Sequence, residues 1–285
     1  MTLDIKKLTG SETLDIEHQY TVDDCILYAL SLGFGDTASD RKALPYVYEG
    51  EGLMQTVPTM ASVLVPDMFP PDLGWDYGQV LHVDQRLQIF RPLPAAAELL
   101  IDKRISDIFD LGEKLGALVM FEAEGRRKKD GSVLFQVGST IMARGDGGFG
   151  GQKGSMPKAH RIPKREPDLV CDIETGGSQA LLYRLNGDRN PLHADPAVAR
   201  KAGFDRPILH GLCSYGIACH AILKTICEYD HTLIAEFDAR FSQPVLPGDT
   251  VTTEMWQDGN TVSFQCSVKD RDAVVVKNGK CVLRT

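Results

Sequence analysis

The order of apolar and polar residues along the chain opens with a helix-like stretch. Ile26, Leu27 and Leu30 recur at the spacing that places side chains on one face of a helix. Thr21 precedes them as an N-cap, and two acidic residues follow it where the helix dipole favours negative charge. The pattern predicts a helix over residues 20–33.

Strand-like runs occupy the next part of the chain. Between residues 79 and 144, short runs rich in β-branched and aromatic side chains alternate with turn residues, which is typical of an antiparallel sheet. The pair Asp130-Gly131 between two of these runs indicates a tight hairpin. The runs predict strands at residues 80–83, 86–90, 99–101, 117–121 and 133–137.

A break rich in glycine, lysine and proline covers residues 145–164 and predicts a linker. The helix-then-strand order then returns. The stretch 212–229 is apolar on nearly all sides, which predicts a helix inside the protein. The other elements predicted here are a loop at 183–191, a short helix at 196–202, strands at 234–241, 250–255, 261–268 and 274–276, and a hairpin turn at 258–260.

One short sequence echo supports a repeated unit. Residues 87–94 resemble residues 239–247, and each segment ends a strand in a proline turn. The matched order of elements on both sides of the linker predicts two copies of one α+β unit, residues 1–150 and residues 151–285.

Composition narrows the class of protein. The 285 residues are 43% hydrophobic and 25% charged, the balance of a globular domain. The net charge of -8 argues against a nucleic-acid partner. The clearest basic run, residues 126–129, is either a solvated hairpin tip or a contact for the phosphates of a ligand.

The sequence also indicates a compartment. Seven cysteines without a C-x-x-C pair predict buried free thiols in a reducing environment. The first residues lack the pattern of a signal peptide, the last three are not a peroxisomal tripeptide, and no stretch reaches the length of a membrane span. We therefore expect a cytoplasmic, stand-alone protein with no membrane partner.

The residues that could carry chemistry are concentrated in one loop. Asp188, Asn190 and His193 fall within six residues. Asp188 and Asn190 lie between Gly187 and Pro191, and His193 follows Pro191 by two residues. A glycine and a proline constrain the backbone, so the side chains can be held in place, and a carboxylate beside an imidazole is a competent acid–base pair. The alternative is structural, because Asx residues beside glycine and proline form turns routinely.

A second candidate segment, residues 207–212, precedes the buried helix. Gly211 has no side chain, so a substrate oxygen could reach its N–H at a helix N-terminus and form an oxyanion hole. The alternative is an ordinary glycine in a helix-entry turn. A metal site made by Asp188, His193 and His210 is the rival chemistry. His220, on the buried helix, is predicted to be a hydrogen-bonded core residue.

The loop resembles a known motif. Residues 183–193, YRLNGDRNPLH, with Ala199 beyond them, are similar to the hydratase 2 motif of MaoC-like enoyl-CoA hydratases. Asn186 stands where that motif usually has a small residue. Further matches cover most of the chain and resemble the hydratase domain of peroxisomal multifunctional enzyme type 2. These matches lie at residues 28–30, 48–50, 80–82, 147–151, 202–205, 207–212 and 241–248.

The resemblance implies a fold and a reaction. The fold is a double hotdog, in which two antiparallel sheets each wrap around a helix and form one pseudo-dimer. The reaction is the reversible syn hydration of a trans-2-enoyl-CoA to an (R)-3-hydroxyacyl-CoA. Only residues 151–285 carry the motif, so the first half is expected to be non-catalytic and to widen the acyl pocket.

The resemblance also implies residue roles. Asp188 and His193 would hold one water and act as general base and acid, Asn190 would orient the pair, and the Gly211 N–H would bind the thioester oxygen. The family has a lysine near Leu111, and Lys114 is the nearby candidate here. The residues assigned to substrate binding are His82, Val83, Lys114, Gly187, His210, Leu212 and Phe241.

The resemblance implies an acyl-CoA thioester as the substrate and a second copy of the chain as the partner in a homodimer. It implies neither a cofactor nor a metal. Two other functions stay open on the sequence alone. A thioesterase is one, because hotdog folds carry several activities. A non-catalytic acyl-CoA-binding protein is the other.

Overall fold

Antiparallel strands pair into one continuous sheet in the computed structural model, which describes residues 8, 10–36, 40–50, 52, 54–68 and 79–285. Ten strands are found in these residues, in the spatial order β1-β3-β4-β5-β2-β7-β10-β9-β8-β6. Their bounds are β1 Glu12–Tyr20, β2 Val80–Ile89, β3 Ala97–Asp110, β4 Ala117–Arg127, β5 Val133–Ala143, β6 Leu169–Glu174, β7 Ile234–Phe241, β8 Thr250–Asp258, β9 Thr261–Val268 and β10 Ala273–Leu283.

Four α-helices have bounds that lie within the described residues: α1 (Val22–Leu30), α2 (Gln179–Tyr183), α3 (Pro196–Lys201) and α4 (Gly211–Thr225). Thr21 is the N-cap of α1, as predicted, and it forms a capping box with Asp24. The side chains from Cys213 to Leu223 are all buried, so α4 is the interior helix that its apolar pattern predicted.

Several predicted boundaries need correction. Tyr20 belongs to β1, so the first helix begins at Val22, and α4 ends at Thr225, four residues short of its predicted end. The two short runs 80–83 and 86–90 form one strand, β2. Strands β1 and β6, which were not predicted, lie at the two edges of the sheet. Edge strands have one pairing neighbour and a solvated side, so many residues of β1 and β6 are exposed.

The two halves of the sheet meet at β2 and β7. Gln85 pairs with Ala239, and Asp84 pairs with Arg240. The echoed sequence segments therefore contribute the two central, neighbouring strands. The α+β class is as predicted, while the boundary at residues 150 and 151 stays a prediction.

A bulge in β2 sets which of its side chains face the helices. The register shifts between His82 and Asp84. Because a bulge adds a residue to one strand, His82 and Gln85 both point to the inner face although they are three residues apart. Gln85 is held there by Ser139 and Ser62, at 2.5 and 3.3 Å. The bulge thus turns His82 towards the interior.

The linker at residues 145–164 and the basic run at residues 126–129 both lie outside the core of the sheet. The linker contacts both halves: the Gln152 carbonyl accepts the Asp110 N–H at 2.9 Å, and the His160 carbonyl accepts a hydrogen bond from Asn278 at 2.8 Å. In the basic run, Arg126 is paired with Asp102 and Lys128 with Glu17, which favours the hairpin-tip interpretation.

All seven cysteines are free and buried, as predicted. None of the helices in the described ranges is long and apolar enough to span a membrane.

Candidate active site

The loop between α2 and α3 holds its side chains by local hydrogen bonds. The Asp188 carboxylate accepts the Asn190 backbone N–H at 3.1 Å. The Asn190 side chain accepts the Leu192 N–H at 3.0 Å, so it caps the 3-10 turn that carries His193. Gly187 has φ of 120°, a value that side chains disfavour. The loop therefore presents Asp188 and His193 at its two ends in a defined arrangement.

His193 is buried and its orientation is set by a backbone carbonyl. Its Nδ1 lies 2.9 Å from the Ile208 oxygen. A carbonyl only accepts, so Nδ1 carries the hydrogen and Nε2 keeps a lone pair. Burial lowers the pKa of His193, and the hydrogen bond to Ile208 and the charge of Asp188 offset this only partly. The imidazole is therefore neutral at pH 7.

The same loop is tied to the first half of the chain. Asn186 donates to the Ser31 hydroxyl at 3.0 Å and to the Tyr183 carbonyl at 2.9 Å. Gln179 donates to the Ser31 carbonyl at 2.6 Å. Asn186, where the sequence departs from the family motif, thus anchors the loop to the residue that follows α1.

The N-terminus of α4 lies against this loop. His210 is its N-cap residue and Gly211 its first residue. The His210 ring stacks on His193, with centroids 3.7 Å apart, and its Nε2 lies 3.3 Å from the Asp188 carbonyl oxygen. A Cβ built on Gly211 would meet the Phe241 ring at 3.4 Å. The predicted oxyanion donor is therefore next to the predicted acid–base pair.

His82 enters from the other half of the molecule. Its ring centroid lies 4.8 Å from that of Phe241, and the charge of Asp188 acts on it. Burial nevertheless dominates and lowers the pKa of His82 to about 4. The candidate site thus lies where β2 meets the elements of the second part of the chain.

The remaining predicted residues are more peripheral. Val83 is half-buried at the β2 bulge, and Leu212 packs against the core from the first turn of α4. Lys114 lies exposed in the β3–β4 turn. Ala117 pairs with Ala143, which pairs with Val80, so that turn lies at the sheet end where β2 begins and His82 is found.

The distances between possible ligand atoms would by themselves allow the metal site. Ligand atoms of Asp188, His193 and His210 all lie within 4.8 Å of one another. The two imidazoles, however, face each other in a stack, with 27° between their planes. A metal needs lone pairs that converge on one point, so the arrangement favours an acid–base site.

Sequence reasoning missed two partners of the site. The Ile208 carbonyl selects the tautomer of His193, and the centroid of the Tyr183 ring lies 5.0 Å from that of His210. A backbone carbonyl leaves no mark in residue type, so nothing in the sequence identified Ile208. Tyr183 lies within the predicted motif and its aromatic character was a usable signal.

Comparison with known families divides the chain into two matched regions. Residues 158–278 match the family described as MaoC like domain. Residues 18–145 match the MFE-2 hydratase 2 N-terminal domain.

Two relatives in sequence span nearly the whole chain. A protein of Arabidopsis thaliana named "Enoyl-CoA hydratase 2, peroxisomal" is 38% identical, over 92% of this chain and 90% of its own. A protein of Dictyostelium discoideum named "Probable enoyl-CoA hydratase 2" is 35% identical, over 99% and 97%.

Solved structures agree with the fold. A MaoC-like dehydratase from Phytophthora capsici superposes with a TM-score of 0.86 at 33% identity, covering 99% of each chain. A Mycobacterium tuberculosis protein described as a double hotdog fold superposes at 0.55 with 14% identity, covering 96% of each chain. The predicted double hotdog fold is confirmed.

Proposed function

Because the chain belongs to the MaoC-like hydratase family and is a lyase of that family, we propose that it hydrates a trans-2-enoyl-CoA reversibly to the (R)-3-hydroxyacyl-CoA. Relatives named as enoyl-CoA hydratases support the substrate class. The observation that carries the proposal is the position of Asp188 and neutral His193 on one loop, beside the N-terminus of α4.

His193 acts as the base in the hydration direction. The Nδ1 hydrogen is committed to Ile208, so Nε2 takes a proton from water as the water oxygen attacks C3 of the enoyl group. The electron pair of the C2–C3 double bond moves towards C2 and the thioester carbonyl. Because burial keeps the imidazole neutral at pH 7, the base is ready without prior deprotonation.

Asp188 orients the water and stabilises the charge that forms. One carboxylate oxygen accepts the Asn190 N–H, and the other is available to accept the second hydrogen of the water. The carboxylate also faces the imidazolium that forms on His193, whose charge it offsets.

The Gly211 N–H receives the negative charge that develops on the thioester oxygen. The first N–H groups of a helix have no intrahelical acceptor, and the helix dipole adds positive potential there. His193 then returns its proton to C2 from the same face that the water attacked. The addition is therefore syn, and all atoms of the water end in the product.

We place the acyl chain against the first half. Ile105, Val119, Phe121 and Ile141 form a small apolar cluster apart from the main core. Ile141 pairs directly with His82, so the cluster continues from the junction into the non-catalytic half. Val83, Lys114, Gly187, Leu212 and Phe241 are proposed to contact the thioester and CoA parts of the ligand.

The first prediction tests the acid–base pair. Asp188→Asn and His193→Gln are each expected to lower kcat by at least about 100-fold, because general acid–base catalysis contributes on that scale. Absorbance loss at the enoyl thioester band measures hydration, and chiral analysis identifies the product. Circular dichroism verifies the fold. Near-wild-type activity in either variant would refute the assignment.

The second prediction separates this reaction from its alternatives. Wild-type protein is expected to consume enoyl-CoA without releasing free CoA, which a thiol reagent detects, and to keep its rate after dialysis against a chelator. Release of CoA would indicate a thioesterase. Binding of enoyl-CoA without loss of absorbance would indicate a non-catalytic protein. A rate that falls after chelation and is restored by zinc would indicate a metal site.

Light scattering would test the homodimer that the family resemblance implies.

A further inference from the structure

His210 is enclosed by the catalytic groups. The residue is 1% exposed. The His193 ring covers one face at 3.7 Å, and the Tyr183 ring lies 5.0 Å away. Such a ring has no surface left for a substrate to touch, which argues against the substrate contact that the family resemblance implied for His210, so any role in the reaction must pass through its neighbours.

The hydrogen bonds of His210 define one tautomer. Its Nε2 faces the Asp188 carbonyl at 3.3 Å, so Nε2 carries the hydrogen. Within the described residues, the buried Nδ1 has no hydrogen-bond partner. A proton on Nδ1 would therefore be a buried donor without an acceptor, which is costly. The geometry admits a neutral ring and disfavours an imidazolium.

Burial of His210 also favours the neutral ring and outweighs the opposing charge of Asp188. Burial, together with the charges of His193 and Arg184, lowers its pKa to about 4, while Asp188 acts in the opposite sense. His210 is also the N-cap residue of α4, at the positive end of the helix dipole. His193 and Asp188 act on the ring from the loop between α2 and α3, Arg184 acts from the turn after α2, and the helix dipole acts from α4.

We propose that His210 is a positioning residue. Its neutral ring fixes the Asp188 backbone, stacks on one face of the His193 imidazole and excludes water from that face. The inference rests on the proposed hydration at this site. It gives the ring two separate roles, because the Nε2–H sets the place of the Asp188 peptide while the ring plane sets the tilt of His193. Ile208, which holds the other side of His193, lies two residues before His210 in the same segment.

The neutral state of His210 has a catalytic consequence. When His193 takes a proton from water, a positive charge appears 3.7 Å from the His210 ring. A second imidazolium at that distance would repel it, whereas a neutral ring does not. The stack therefore supports His193 without opposing its protonation.

Two variants separate the two roles of His210. His210→Phe keeps a flat ring beneath His193 but removes the donor to Asp188. His210→Gln keeps an N–H near the place of Nε2 but removes the ring. We expect His210→Phe to lower kcat about 10-fold or more with KM nearly unchanged, because a small displacement of a reacting group is costly. The acid limb of its pH profile should not move.

His210→Gln should instead move that limb. Loss of the ring lets water reach His193, so the pKa of His193 rises towards its ordinary value and the acid limb of kcat/KM shifts to higher pH. Histidine NMR titration of the substrate-free proteins follows the same pKa without any assay. A raised KM with unchanged kcat in both variants, or an acid limb of His210→Gln identical to that of the wild type, would overturn the proposal.

A measurement on the wild type guards against variants that fail to fold. His210 should remain the neutral Nε2–H tautomer in NMR spectra at pH 6, and a protonated ring at that pH would overturn the proposal. If the wild-type protein does not hydrate enoyl-CoA, the proposed function fails, yet the NMR titrations still decide whether His210 positions Asp188 and His193.

Discussion

At the scale of single residues, the site is controlled by backbone groups more than by side-chain type. The Ile208 carbonyl selects the tautomer of His193, and the Asn190 N–H holds the Asp188 carboxylate. Gly211 would contribute only its N–H. A backbone donor can be removed only by proline, and the first position of a helix tolerates proline well.

The third prediction uses that tolerance at Gly211. Gly211→Pro removes the N–H, and His210, with φ of -61° and ψ of 139°, already has the extended conformation that a residue before proline requires. Loss of one oxyanion donor is expected to lower kcat by about 100-fold or more. Initial hydration rates measure it.

The matched control is Gly211→Ala, which keeps the N–H and adds one methyl group. That methyl would meet Phe241 at 3.4 Å, an ordinary to tight contact, so a smaller loss is expected. Equal losses in the two variants would show that space rather than the N–H is the requirement at this position.

At the scale of elements, a short tether decides how the loop is held. Asn186 and Gln179 bind Ser31 at the end of α1, so an element of one half restrains the loop of the other. Local turn chemistry alone shapes residues 187–193, but the direction in which the loop points depends on this contact between halves.

The fourth prediction tests the tether. Asn186→Ala is expected to lower the free energy of unfolding by about 1 kcal/mol, the net value of a typical hydrogen bond, and to reduce kcat because the loop is less restrained. Urea unfolding and initial rates measure the two effects. Leu185→Ala, at a neighbouring residue that is 44% exposed, is the control. The tether is unimportant if both variants behave alike.

At the scale of the whole molecule, buried histidines make stability depend on pH. Burial lowers the pKa of His82, His210 and His220 to about 4 in each case. His220 is a core residue, as predicted, with its Nδ1 3.1 Å from the Leu32 carbonyl and its ring stacked on Phe34. Below about pH 6.5 the unfolded chain binds protons that the folded chain does not.

The fifth prediction follows with its sign. The histidine contribution is neutral above the unfolded pKa, and stability falls as pH drops from about 6.5 towards 4, by up to about 1.4 kcal/mol per pH unit for each histidine. Urea midpoints at pH 7, 6 and 5 measure it. His220→Phe keeps the stack on Phe34 and should reduce the slope, and an unchanged slope would contradict the explanation.

The sequence by itself determined the features that depend on neighbours along the chain. The N-cap at Thr21, the interior character of α4 and the hairpin at Asp130 were readable because each rests on a few adjacent residues. The motif at residues 183–193 was readable for the same reason, since Gly187 and Pro191 constrain the backbone around Asp188 and His193.

Tertiary structure decided what depends on distant residues. The edge strands β1 and β6, the β2 bulge and the meeting of His82 with Phe241 all require partners far away in the chain. The stack of His193 on His210 likewise follows from where α4 docks. Contacts of this kind arise from packing and register, which leave no short-range pattern in the sequence.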